Sequence, residues 1–231
     1  DSTKVADVDY MSDYAAHLRD MIKNGVNAEN YEKPLEGFKI IVDAGNGVGG
    51  FYAEHVLKPL GADTEGSQFL EPDGSFPNHI PNPEDKTAMQ SIKDAVIESG
   101  ADFGVIFDTD VDRAGCVDST GEEINRNRLI ALASYIAANG QKGLTFVTDS
   151  VTSDGLKKYI EQNLGCKHYR YRRGYKNVIN KAIELCEKGI ESPLAIETSG
   201  HAALKENYFL DDGAYLVTKI VIELAKGNDI E

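Results

Sequence analysis

The chain predicts an α/β protein of two consecutive domains, each a parallel or mixed sheet flanked by helices. Three observations carry that expectation. Apolar runs at 38–42, 103–107, 144–148 and 193–196 have the length of short buried strands. Stretches of helical spacing separate them, the alternation expected of stacked βα units. Most of these runs end in a loop rich in Gly, Asp or Ser, where α/β sheets keep their ligands.

Composition narrows the class. With 231 residues and 41% hydrophobic residues the chain suits one large or two modest domains with real cores. A net charge of −14 and a pI near 4.8 argue against a general nucleic-acid or anionic-membrane surface, while leaving room for a local basic pocket. Cys116, Cys166 and Cys186 are odd in number and widely spaced, which suggests neither a disulfide framework nor a zinc knot. A reducing cytoplasm is the expected home. No apolar run reaches the roughly 18 residues of a membrane span, and no signal peptide is readable. A start at Asp1 suggests a piece of a longer chain.

In order, residues 7–26 carry a helical stripe of Tyr10, Tyr14, Leu18, Met21 and Ile22. Asp9 or Ser12 is placed to cap it and Gly25 to end it. The strand at 38–42 runs into Asp43-Ala44-Gly45-Asn46-Gly47-Val48-Gly49-Gly50 and a helix through Leu57. Gly45, Gly47 and Gly50 formally make G-x-G-x-x-G, which invites a dinucleotide reading with Asp63 or Glu65 on the ribose. A tight βα turn accounts for the glycines equally well. Residues 66–87 form a loop holding Pro72, Pro77, Pro81 and Pro83, with His79 read as a loop histidine. A helix at 86–98 leads to the strand at 103–107. An extended piece at 116–118 and a turn follow, with the domain boundary near 121–126. The second half continues as helix 128–138, strand 144–148, helix 152–163, strand 166–171, helix 175–187, strand 193–196 and helix 213–225. Asp211-Asp212-Gly213 reads as the cap of that last helix.

The chemistry concentrates at 103–113. An apolar strand delivers Asp108, Asp110 and Asp112 at alternate positions, followed by Arg113. Carboxylates this close repel one another, and a bound divalent cation resolves the repulsion. Oxygen-only ligation favours Mg²⁺ over Zn²⁺. An EF-hand needs Gly at its sixth and Glu at its twelfth position; counted from Asp108 those places hold Arg113 and Ser119, so that reading fails. A phosphatase of the haloacid-dehalogenase type, with Asp108 as nucleophile, stays as an alternative, although Asp112 stands where that family has Thr or Val. Two further sites lie in the second half. Arg170, Arg172, Arg173 and Lys176 surround Gly174 before a helix, a plausible phosphate contact in an acidic protein. Glu197-Thr198-Ser199-Gly200-His201 follows a buried strand. Its acidic and hydroxyl side chains suit a polyhydroxyl ligand better than a hydrolase triad, whose members come from separate segments.

With these stretches in hand the chain resembles the α-D-phosphohexomutases, the phosphomannomutase/phosphoglucomutase family. Val42 to Gly50 and the Pro81-Asn82-Pro83 loop look like its second domain, and Asp108 to Arg113 is similar to its D-G-D-G-D-R magnesium loop. Glu197 to His201 is similar to the G-E-x-S-G-H sugar loop of its third domain. Thr109 and Val111 replace the usual glycines. The resemblance implies Mg²⁺ on Asp108, Asp110 and Asp112, and Arg113 beside the reacting phosphate. It also implies Glu197, Ser199 and His201 at the sugar, with Arg172, Gly174 and Lys176 as a looser match to a substrate-binding loop. It implies domain II over 1–122 and domain III over 123–231, the two middle domains of a four-domain enzyme. The substrates implied are a hexose phosphate and its bisphosphate, of the mannose/glucose or glucosamine branches. The phosphoserine segment belongs to a first domain and a phosphate loop to a fourth, and neither is readable in these residues. The 231-residue chain alone is therefore expected to lack mutase activity.

Overall fold

The computed structural model describes residues 5–227. Two four-stranded sheets carry the chain. In the first, β1 (Ile40–Asp43), β2 (Phe103–Phe107), β3 (Ala114–Asp118) and β4 (Glu123–Ile124) lie side by side in that order. The β1–β2 pair is parallel, and the next two pairs are antiparallel. In the second sheet, β5 (Thr145–Asp149) runs parallel to both β6 (Lys167–Tyr171) and β7 (Leu194–Ile196), and β8 (Ala202–Leu204) adds antiparallel to β7. Both sheets are mixed, as the sequence implied. β4 bonds to β3, so the first sheet runs just past the division expected at 122/123.

Strand alternation decides which side chains meet which helix. Ile41, Ile106 and Val117 face α2 (Lys86–Ser99), and Val147, Ala195 and Ala203 face α5 (Tyr175–Glu187). The opposite faces carry Val42, Phe103, Phe107, Phe146 and Ile196. These share one continuous core with Leu18 of α1 (Tyr10–Val26), Leu129 of α3 (Asn127–Ala138) and Val217 of α6 (Gly213–Ala225). A common helical layer therefore sits between the sheets and joins the two halves. The ends of α2 follow its chemistry. Asp85 accepts from Thr87 N and Ala88 N, and Gly100 closes the helix in a left-handed conformation.

Several boundaries moved, each for a visible reason. α1 passes through Gly25 and ends at Asn27, which is left-handed. Gly25 instead admits a neighbour: a Cβ there would lie 2.8 Å from Cδ1 of Ile222 in α6. Tyr10 is exposed, and the buried stripe is Ala15, Leu18 and Ile22. The helix expected up to Leu57 is a π-type turn, Tyr52–Leu57, tightened into a 3₁₀ turn, Lys58–Leu60, where Pro59 removes a backbone donor. In place of a helix over 152–163 the chain forms α4 (Asp154–Lys158) and another π-type turn, Tyr159–Asn163. The two- and three-residue strands β4 and β8 had no readable alternation.

α1 does more than lead into the first half. The Tyr14 hydroxyl lies 2.7 Å from both carboxylate oxygens of Asp212, which also caps α6 by accepting from Tyr215 N at 2.9 Å. Burial, then the Asp212 charge, push the Tyr14 phenol far above its usual range, so it stays a donor. Tyr14→Phe keeps the ring against Phe51 but deletes the charge-assisted bond. It should cost about 2 kcal/mol in urea unfolding. A loss below about 0.5 kcal/mol would show that the contact adds nothing.

Among the described residues no helix is long and apolar enough to cross a membrane, and Cys116, Cys166 and Cys186 are free thiols.

Candidate active site

β2 ends at Phe107 and hands the chain to a loop held from both sides. Thr109 O accepts from Val48 N at 2.9 Å, and Val111 O accepts from Gly213 N, at the start of α6, at 2.9 Å. The loop brings one oxygen each of Asp108, Asp110 and Asp112 within 4.8 Å of one another. Asp108 is buried, Asp112 half-buried and Asp110 exposed. Val111, where the resembling loops have glycine, is driven to φ 68°, a left-handed conformation strained for a β-branched residue. The loop clamped between Gly47 and Gly213 imposes it.

The electrostatics fit a hard divalent cation. Burial, then the charge of Asp108, push Asp112 up to about 7, the signature of carboxylates crowded without a counter-charge. Arg113 is bonded to one of them and only near a second: its Nε donates to Asp108 Oδ2 at 2.8 Å and its backbone N to Oδ1 at 3.1 Å, while Asp112 Oδ1 stays 3.7 Å from Nε. A donor set made of carboxylate oxygens alone, with one exposed member, suits Mg²⁺ and gives zinc no nitrogen or sulfur ligand.

The Glu197–His201 loop of the second half meets this three-carboxylate loop directly. Arg113 and His201 form an antiparallel backbone bridge. His201 Nδ1 lies 2.8 Å from Asp211 Oδ2 and 3.6 Å from Asp112 Oδ2, and its ring stacks on Tyr175 at 5.0 Å. Burial would lower the His201 pKa, but the Asp211 bond and the two nearby carboxylates outweigh it, so the net shift is upward. Glu197 accepts from Gly174 N at 2.6 Å, which fastens the basic loop to the strand end. Burial raises the Glu197 pKa against that bond. Ser199 is buried, with an Oγ that has no hydrogen-bond partner among the described residues. Arg172 lies exposed over the Tyr171 ring at 5.6 Å, and Lys176 over Tyr175 at 5.8 Å. Arg173 reaches Glu84 of the first half at 3.9 Å.

Four participants escaped sequence reasoning. Asp212 alone caps α6; its neighbour Asp211 holds His201. His79 is not a loose loop histidine but is buried against Asp43, with Nε2 2.9 Å from Oδ2. Asp149, fully buried at the end of β5, accepts from Thr198 Oγ1 at 2.7 Å and so braces the Glu197 loop. Asn82 accepts from Arg113 Nη1 at 3.2 Å. For Asp43 and Asp149 the one available signal was an Asp closing an apolar strand.

The dinucleotide reading of the glycine turn is overturned. A Cβ at Gly47 would lie 2.7 Å from Thr109 O, and one at Gly50 would lie 2.1 Å from Leu70 O. The glycines let backbones touch and leave no space for a pyrophosphate. Asp63 pairs with Lys39 instead of awaiting a ribose.

Fold and site together define a two-sheet α/β protein in which a three-carboxylate loop and the Glu197–His201 loop meet edge to edge. The family model described as phosphoglucomutase/phosphomannomutase, alpha/beta/alpha domain II, matches residues 13–121, and that for domain III matches residues 125–230. A phosphomannomutase/phosphoglucomutase of Pseudomonas putida is 33% identical over 195 residues, covering 84% of this chain and 41% of the relative. A phosphoglucomutase of Neisseria meningitidis is 30% identical over 226 residues, covering 97% and 45%. The solved structure of a phosphoglucomutase/phosphomannomutase family protein from Burkholderia thailandensis superposes with a TM-score of 0.79 at 30% identity, covering 96% of this chain and 45% of that one. The chain belongs to the phosphoglucomutase/phosphomannomutase family and carries its domains II and III. It spans less than half the length of the curated relatives it matches. Family membership also removes the dehalogenase-type phosphatase reading.

Proposed function

We propose that this chain is the metal-binding and sugar-recognising part of a phosphohexomutase, which interconverts hexose 1-phosphate and hexose 6-phosphate. One observation carries the reading: the Arg113–His201 bridge sets the three-carboxylate loop and the Glu197–His201 loop edge to edge. Asp108, Asp110 and Asp112 hold Mg²⁺, which when bound neutralises charge on the transferring phosphoryl group. Arg113 turns its remaining N–H donors toward that phosphate. Glu197, Ser199 and His201 bind sugar hydroxyls, and Arg172, Gly174 and Lys176 receive the distal phosphate. The phosphoserine that exchanges its phosphoryl group with the hexose bisphosphate lies on a domain outside these residues. The enzyme works in the cytoplasm.

Metal binding tests the reading. Asp112 is raised above its unfolded value of 3.8, so the metal-free fold loses stability as pH climbs from there toward about 7. Mg²⁺ and protons compete for the same oxygens. The gain in Tm from Mg²⁺ should therefore grow across that interval and level off above it. At ten times Kd the gain is about 1.4 kcal/mol, or roughly 3–6 °C. Asp110→Asn, at an exposed ligand, should abolish it. The same gain in the variant, or none in the parent at pH 8, would sink the metal assignment.

A further inference from the structure

We propose that Asn82 is a positioning residue for Arg113, aiming the guanidinium edge that faces the phosphate. The inference rests on the reading of Arg113 as the phosphate-facing arginine and extends it to a loop with no assigned role.

Arginine carries five N–H donors in a rigid fork, so fixing two of them fixes the direction of the rest. Arg113 is held in that way. Nε donates to Asp108 Oδ2 at 2.8 Å, and Nη1 donates to the Asn82 side-chain oxygen at 3.2 Å. Asp108 by itself leaves the plane free to swing about the Nε bond, and Asn82 removes that freedom by holding Nη1. No protein partner of Nη2 is found among the described residues.

Asn82 can do this because it is itself immobilised. Its side-chain oxygen also accepts from Glu84 N at 3.0 Å, so one lone pair fixes the carbonyl while the other meets the guanidinium. The flanking Pro81 and Pro83 are buried and fix their own φ angles. Asn125 Nδ2 donates to Pro83 O at 2.9 Å, and the His79–Asp43 pair anchors the other end of the loop to β1. A segment remote in sequence from both the metal loop and the sugar loop is thus built rigidly around one acceptor atom. Asp108 would hold the metal as well as Arg113, so a second, neutral acceptor would keep the arginine in place with the metal bound.

The test uses the 231-residue chain with saturating Mg²⁺. Glucose 1,6-bisphosphate affinity is measured by calorimetry, and the Arg113 Nε–H signal is followed by ¹⁵N NMR. Asn82→Ala should weaken bisphosphate binding about tenfold, leave Mg²⁺ affinity unchanged and broaden the Nε–H signal. Asn82→Asp keeps both acceptor contacts and should restore the signal and most of the affinity, which a purely packing role for the loop would not produce. Asn82→Ala binding within twofold of the parent, with an unchanged Nε–H signal, overturns the proposal. If the parent chain binds no bisphosphate, the mutase reading of this site fails instead, and the Nε–H signal alone decides whether Asn82 positions Arg113.

Discussion

Gly200→Ala should destabilise the protein by roughly 3 kcal/mol and separate the two functional loops. Gly200 sits at φ 100°, and a Cβ there would lie 2.6 Å from Ala114 O. The left-handed backbone costs an L-residue about 1–2 kcal/mol, and forcing an atom against a packed carbonyl costs about 1–3 kcal/mol more. The obstacle is backbone at the first residue of β3, so no rotamer change relieves it. The nearest relief is to move the Glu197–His201 loop away, which breaks the Arg113–His201 bridge and withdraws His201 from Asp112. In urea the midpoint should fall, and thermal unfolding should drop by about 6–12 °C. Gly74→Ala is the control, because its φ is ordinary and nothing lies within 4 Å of the added Cβ. It should stay within about 0.5 kcal/mol of the parent. Equal stability of the two variants would mean that the loops are not locked together.

The pieces of this site were legible where they are local. An apolar strand delivering three alternate acids announces itself, as does a strand followed by Glu, Ser and His, and the two loops meet at the Arg113–His201 bridge. The juxtaposition of the halves was not legible, because it arises from long-range packing of α1, α3 and α6 into one layer. Asp211 and Asp212 show the limit sharply. Adjacent in sequence and identical in type, one caps a helix and the other orients His201, and only the direction of each side chain separates them. The glycine turn was ambiguous for a similar reason. Close approach to a phosphate and close approach to a neighbouring backbone both require the missing Cβ. The π-type turns at 52–57 and 159–163 left no trace in the apolar pattern, since segments of six and five residues are too short to set a period of their own.

Asp43→Ala should cost about 3–5 kcal/mol, the expected price of stranding one member of a buried pair. Asp43 is fully buried at the end of β1 and accepts from Gly45 N at 2.8 Å, Gln68 Nε2 at 2.7 Å and His79 Nε2 at 2.9 Å. The other ring nitrogen, His79 Nδ1, lies 3.0 Å from Ile80 O. Both nitrogens thus face acceptors, an arrangement satisfied in full only by the imidazolium. The His79 pKa is accordingly raised, first by the Asp43 bond and against burial, with Ile80 O and Asp85 adding to the shift. A raised histidine contributes stability that is complete below its unfolded pKa of 6.5 and is lost as pH rises through the folded value. His201 adds a slope of the same sign, so the measurement is differential. Asn at position 43 keeps a neutral acceptor but discards the charge, and the difference in unfolding free energy between parent and Asp43→Asn should shrink as pH climbs above 6.5. A difference constant from pH 6 to 9 would mean that His79 stays neutral throughout. This slope is separable from that of Asp112, which Mg²⁺ suppresses and which lies below about pH 7. It reports instead on the anchor of the 79–83 loop, the same loop that presents Asn82 to Arg113. Loss of the His79 proton should therefore loosen the arginine before it unfolds the chain.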